Sequence, residues 1–162
     1  MTTISYFCRA VGVVLLMAAV WPVAAAADDR HAGYYYPDVM SEETYRARAQ
    51  AMPDADREVR LGFVSAHTAE QMGRDYPPRY ALFAKGEDAE KLIIVGLDDS
   101  FSTLFRARGV LAQLTAQART TTLFRNLAVE DFFTFFDLAK MLGFEQITVT
   151  DGDDYAHRID IE

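Results

Sequence analysis

The chain has 162 residues, of which 51% are hydrophobic, and its formal net charge is −8 at neutral pH. This length and apolar content fit one ordinary domain with its own core. The acidic balance argues against broad binding to nucleic acid or to anionic lipid, because both require a positively charged face.

Residues 1–27 have the features of a secretory signal peptide. Arg9 provides a positive start, residues 11–23 form an apolar run, and the alanines at 24–27 supply the small residues that signal peptidase requires. We predict cleavage after Ala27 and export to a bacterial periplasm, with no membrane attachment of the mature chain. A retained membrane anchor is the alternative, but the run is shorter than the ~20 apolar residues of a spanning helix.

The single cysteine, Cys8, lies within this predicted signal. The mature chain would therefore contain no cysteine, which excludes thiolate chemistry and disulfides. Loss of Arg9 with the signal would change the net charge from −8 to −9, so the mature protein is expected to be acidic and soluble.

Residues 28–56 are predicted to form an N-terminal aromatic strap and a helix. The three tyrosines Tyr34, Tyr35 and Tyr36 precede a proline, which favours extended backbone. Consecutive aromatic side chains are expected to be covered, here by docking beside the sheet, although stacking of one exposed tyrosine on a ligand is the alternative. Ser41, followed by two glutamates, predicts the cap of a helix over residues 41–52.

Residues 57–162 are predicted to form an α+β domain. Alternating apolar residues indicate a strand over 57–65, and the spacing of Thr68 and Gln71 indicates a separate short helix that ends near Gly73.

Four later segments read as strands that pair into two hairpins. The first hairpin joins 79–85 to 91–97, and the second segment is apolar on both faces, which predicts a central strand. The second hairpin joins 146–150 to 154–161 around an Asp-Gly turn.

Two helices are predicted between these hairpins. The first opens at 98–100 and has one apolar stripe at steps of three and four residues, made of Leu104, Ala107, Leu111, Leu114 and Ala118. The second begins at Glu130 and ends at Gly143, a favoured residue just past a helix. Together the elements predict a single α+β domain, with a mainly antiparallel sheet of about five strands and helices packed on one face.

The turn of the second hairpin carries the candidate metal ligands. Asp151, Asp153 and Asp154 are three carboxylates on one turn, and His157 follows on the apolar face of the next strand. The alternatives are an ordinary wet hairpin turn and a histidine that is hydrogen-bonded in the core. No catalytic residue and no cofactor site is predicted.

Two further features are candidates for a ligand or partner surface. Arg106 belongs to a group of arginines that could hold an anionic ligand or an acidic partner, although such residues more often form solvated ion pairs. Phe133 lies off the centre of the apolar stripe predicted for its helix, and could mark a partner surface instead of joining the core.

Four segments resemble a family of small secreted bacterial proteins: "YYYPDVMSEETY", "YPPRYALFAKGEDAEKLIIVGLDD", "RARGVLAQLTAQAR" and "EDFFTFFDLAKMLGF". The resemblance covers nearly all of the mature chain and implies secretion. That family has no established activity, and its members sometimes carry a label for molybdopterin-guanine dinucleotide biosynthesis. The Gly-Gly-x-Ser-x-Arg-Met-Gly loop that holds GTP in guanylyltransferases is absent from this sequence, so no catalytic residue carries over.

These observations lead to three hypotheses of function. The first is a periplasmic, non-catalytic domain that binds a protein partner or a small ligand. The second is a small periplasmic hydrolase or metal-dependent enzyme that uses the Asp151–His157 region. The third is a protein related to the molybdenum-cofactor nucleotidyltransferases. Neither a P-loop nor a Gly-x-Ser-x-Gly motif is present.

Overall fold

The computed structural model describes residues 37–97 and 104–162. In chain order, the elements of these ranges are β1 (Ser41–Tyr45), α1 (Arg57–Met72), β2 (Tyr80–Lys85), β3 (Lys91–Gly96), α2 (Leu104–Arg119), α3 (Thr122–Leu127), α4 (Phe135–Met141), β4 (Gln146–Thr150) and β5 (Ala156–Ile161). They form a single α+β domain, as the sequence predicts. The predicted signal peptide and the three tyrosines lie outside the described residues.

The five strands form one open sheet in the order β1-β5-β4-β3-β2. Both predicted hairpins are confirmed: β2 pairs with β3 and β4 pairs with β5, each antiparallel. The other two pairs, β3 with β4 and β1 with β5, are parallel. The sheet is therefore mixed, not mainly antiparallel. The three helices between β3 and β4 carry the chain back, so that β4 runs in the same direction as β3.

The segment predicted to begin a helix at Ser41 is instead strand β1. Its backbone pairs with β5, from Ser41 opposite His157 to Tyr45 opposite Ile161. Hydrogen bonds from Met40 N to Ala156 O and from Ala47 N to Glu162 O extend the contact at both ends. The helix prediction was wrong because capping signals depend only on neighbouring residues. They carry no information about a distant strand whose edge would otherwise be unpaired.

The strand predicted over residues 57–65 is also wrong, because this segment is the first half of helix α1. The helix runs without a break through the separate short helix that was predicted at Thr68. Its cap is Asp56, whose Oδ1 accepts a hydrogen bond from Val59 N at 2.9 Å. The end near Gly73 is as predicted.

The inward face of α1 explains why its helical period was missed. Two of its residues, Arg60 and Gln71, are buried polar side chains, and His67 between them is also partly buried. A search for apolar residues at helical spacing does not detect a helix face whose buried residues are polar. The apolar alternation of Val59, Leu61 and Phe63 remained as the visible pattern.

The helices after β3 follow the prediction more closely. The apolar stripe of α2 is buried at Ala107, Leu111, Leu114 and Ala118, whereas the predicted opening at 98–100 lies outside the described residues. The helix predicted from Glu130 begins later, at Phe135, after a turn in which Phe132 N and Phe133 N donate to Val129 O. Helix α3 was not predicted.

The core lies between the helices and one face of the sheet, as predicted. The strand residues in the core share that face by register, and the helices supply the opposing side chains. Its largest fully buried members on this side are Phe124, Phe135, Phe144, Leu92, Ile94, Ile147 and Ile159. Across 37–97 and 104–162, no helix is long and apolar enough to cross a membrane.

Candidate functional site

A cleft of about 270 Å³ separates α1 from α2 and α4. Its lining combines apolar side chains, among them Phe63, Leu114 and Phe135, with hydrogen-bonding ones such as His67 and Gln117. An apolar cavity of ~150 Å³ is enough to hold benzene, so this cleft has room for one substituted ring. Sites for small molecules typically combine an apolar lining with a few convergent polar groups.

The cleft follows from the residue spacing on the two long helices. The lining residues of α1 are neighbours on one helix face: Phe63, Ala66, His67 and Glu70. The lining residues of α2 share a face in the same way: Leu114, Gln117 and Ala118. Because Ala66 and Ala118 have short side chains, the two helices leave a gap between them instead of interdigitating.

A hydrogen-bond network lies against this cleft. His67 Nε2 is 3.0 Å from Gln71 Nε2 and 3.2 Å from the Tyr80 hydroxyl, and that hydroxyl can donate its one proton either to His67 Nε2 or to Gln117 Oε1, which is 3.4 Å away. The His67 ring also stacks on Tyr80, with 5.7 Å between ring centroids. The amide of Gln71 can donate to His67 Nε2 only if that nitrogen is unprotonated, so the network favours a neutral ring.

The surroundings of His67 also favour the neutral imidazole. Burial lowers the pKa of His67 below its ordinary value of 6.5, because it disfavours the charged imidazolium. Glu70 opposes this shift and Arg74 reinforces it. A neutral histidine with a lowered pKa, facing a cleft, marks a candidate functional position.

The lowered pKa of His67 predicts a pH dependence of stability. Below pH 6.5 the unfolded chain takes up a proton at His67 more readily than the folded chain, so the free energy of unfolding should fall as pH decreases. We expect wild type to lose more stability than His67→Gln when urea unfolding is compared above and below that pH. Equal losses in the two proteins would contradict the assignment.

The acidic turn that carries the candidate metal ligands is held by its own backbone. Asp151 Oδ1 accepts hydrogen bonds from the backbone N–H groups of Asp153, Asp154 and Tyr155 at 3.0, 3.2 and 2.9 Å. Burial works against ionisation of Asp151, but these hydrogen bonds outweigh it and lower its pKa. The contact with Asp151 raises the pKa of Asp154. In the described ranges, no three His, Cys, Asp or Glu side chains are placed to hold a metal ion.

His157 lies on the core face of β5, buried with 3% of its surface exposed. Its Nδ1 is 2.8 Å from Ser41 Oγ, and its Nε2 is 3.2 Å from Glu43 Oε1. Sequence reasoning singled out the histidine but missed both partners, because it placed them in a helix. No alternation marked β1 as a strand, because residues 41–44 are all polar.

Of the remaining predicted surface residues, Arg106 and Phe133 lie in the described ranges. Arg106 is exposed near the start of α2, and Tyr34, Tyr35 and Tyr36 lie outside the described residues. Phe133 is half-buried against Phe124, with ring centroids 5.7 Å apart, whereas Phe132 is 63% exposed. The later start of α4 explains this arrangement, since the two phenylalanines belong to a turn and not to a helical stripe.

The fold and the cleft define a small α+β domain with a candidate ligand site between two helices. Comparison with protein-family models, with curated proteins and with solved structures gave no match.

Proposed function

We propose that the protein is a periplasmic binding domain that takes a small ligand in the cleft between α1 and α2. One observation carries this proposal. A mainly apolar cleft of about 270 Å³ is lined on one side by the hydrogen-bonded side chain of His67. The apolar lining provides the driving force for binding, and the polar groups fix the orientation of the ligand. The signal-like residues 1–27 support export.

The lining also defines the chemistry of the ligand. A neutral His67 can exchange a hydrogen bond with a hydroxyl or amine, and Gln117 offers an amide beside it. The carboxylate of Glu70 lines the same cleft, and the whole chain carries −8, so a negatively charged ligand is disfavoured. The ligand class is therefore a neutral or cationic molecule with one ring and one hydrogen-bonding group.

Titration with phenol and indole tests this proposal. In ¹H–¹⁵N NMR spectra of the wild-type protein, we expect shift changes centred on residues 63–70 and 114–118. Ala66→Trp places an indole in the cleft and should weaken binding about tenfold or more, a loss of ~1.4 kcal/mol. Shift changes elsewhere, or none with either probe, would contradict the proposal.

Ala69→Trp is the matched control, because Ala69 is exposed on the same helix and does not line the cleft. This variant should leave the affinity for both probes unchanged.

Native mass spectrometry of protein exported to its own periplasm then looks for the natural ligand. A mass for residues 28–162 plus an adduct that leaves on denaturation would identify it.

A further inference from the structure

Ser41, His157 and Glu43 form a continuous chain of polar contacts at the edge of the sheet. Ser41 Oγ lies 2.8 Å from His157 Nδ1, and His157 Nε2 lies 3.2 Å from Glu43 Oε1. The second oxygen of Glu43, Oε2, is 3.5 Å from a guanidinium nitrogen of Arg108 on α2. This cluster is built on β1 and β5, and none of its residues lines the cleft between α1 and α2.

The parallel pairing of β1 with β5 creates this arrangement. Ser41 is directly opposite His157, and Glu43 is two residues further along β1 on the same face. The imidazole therefore lies between a hydroxyl and a carboxylate, one on each ring nitrogen. Nε2 is close to Glu43 but has no aligned hydrogen-bond partner. The carboxylate oxygen therefore lies off the direction of an N–H bond on Nε2. Such contacts often align only when substrate is bound.

To accept a proton from Ser41, His157 must carry its own proton on Nε2, the ring nitrogen that faces Glu43. A carboxylate can only accept hydrogen bonds, so Glu43 favours the proton on Nε2. Nδ1 is then an acceptor, and the hydroxyl of Ser41 donates to it. A nucleophile bonded to a base, with the base oriented by a third group, is the arrangement that activates a serine.

We propose that Ser41 is a nucleophile that takes acyl groups from carboxylic esters, with His157 as its general base and Glu43 as a positioning residue. Ser41 Oγ bonds to the ester carbonyl carbon while its proton passes to His157 Nδ1. The carbon–oxygen bond to the leaving alcohol then breaks, and that alcohol takes the proton. Water attacks the acyl-serine by the same route, which releases the acid and restores Ser41.

Tyr155 is the candidate donor to the negative oxygen that forms during attack. Its hydroxyl is buried and has no hydrogen-bond partner among the residues the structure describes. Burial raises the pKa of Tyr155, while Arg108 lowers it and Glu43 raises it by smaller amounts. An unpaired O–H held in a buried position is the type of donor that stabilises an oxyanion.

Two measurements on the wild-type protein test the proposal. Diisopropyl fluorophosphate should form a phosphorus–oxygen bond to Ser41 with loss of fluoride, seen as a mass increase on the peptide that contains this residue. Hydrolysis of p-nitrophenyl acetate should exceed that of Ser41→Ala by about 100-fold, the usual scale of general-base catalysis. Failure of either measurement overturns the proposal.

Variants of the other two residues separate catalysis from a structural role. His157→Gln should slow labelling of Ser41 about 100-fold, and Glu43→Gln should slow it less. Glu43→Asp keeps the carboxylate and should recover part of the rate, which a structural role alone would not produce. Ser65→Ala, an exposed serine on α1, is the control and should react as wild type. If His157→Gln does not fold, equal labelling of wild type and Glu43→Gln overturns the role of the cluster.

Discussion

Replacement of Arg60 with methionine is expected to lower the free energy of unfolding by about 3 kcal/mol, because it leaves several buried carbonyl groups without a donor. Arg60 is only 6% exposed. Its guanidinium donates to Ala55 O at 3.0 Å, Asp88 O at 2.9 Å, Gly143 O at 3.2 Å and Leu142 O at 3.4 Å. One side chain thus joins the start of α1, the β2–β3 turn and the end of α4.

The location of these carbonyls explains how a positive charge is accommodated inside the protein. Leu142 and Gly143 lie at the C-terminal end of α4, where the helix dipole is negative. Gly143 has φ of +79°, and a Cβ added there would collide with the Arg60 guanidinium. The glycine therefore both ends the helix and makes room for the arginine.

Arg57→Met is the control for this prediction, because Arg57 is exposed on the same helix and its replacement removes the same charge. It should change stability by no more than about 0.5 kcal/mol. Urea unfolding followed by circular dichroism compares the two variants. A loss below about 1 kcal/mol for Arg60→Met would show that water or neighbouring groups satisfy the carbonyls.

Asp137→Ala is expected to destabilise the protein by about 2–4 kcal/mol, because the carboxylate is fully buried and serves several donors. Its Oδ1 accepts from Arg48 N at 2.7 Å and from Ala49 N at 3.4 Å. Its Oδ2 accepts from Thr134 N at 2.8 Å and Thr134 Oγ1 at 2.9 Å. The residue therefore caps α4 and attaches the chain after β1 to that helix.

Hydrogen exchange gives a local readout of this attachment. The amide of Arg48 should be protected in wild type and should exchange much faster in Asp137→Ala, because its acceptor is lost. Asp131→Ala, an exposed acidic residue of the preceding turn, should change neither exchange nor stability. Unchanged protection of Arg48 in Asp137→Ala would contradict the predicted role of the carboxylate.

Local patterns were sufficient where the structure depends on residues close in sequence. The two hairpins, the buried stripe of α2 and the helix end before Gly143 are as predicted. Each follows from a turn residue or a repeating spacing within one segment.

Predictions failed where distant contacts outweighed local signals. Ser41 and its two glutamates form a good helix cap in isolation, but pairing with β5 satisfies the same backbone as a strand. Residues 57–65 show strand-like alternation, but the polar face of α1 is buried by interactions with distant segments. In both cases the competing signal lay far along the chain.

The candidate sites also combine features that are visible in the local sequence with features that depend on distant contacts. His157 was singled out because a polar residue on an apolar strand face is visible in the sequence. Its contact with Ser41, 116 residues away, depends on the register of a parallel strand pair that no local pattern specifies. The cleft beside His67 depends on the separation of two helices, which is a property of their packing.

The α+β class, the two hairpins and the apolar stripe of α2 could be predicted, because the period of apolar residues and the turn chemistry are local properties. The folded structure was needed to show that β1 is a strand, that α1 is one helix, and that Ser41, Glu43 and His157 meet. Those features depend on which distant groups satisfy a buried backbone or a buried charge, and that choice is made only when the whole chain has folded.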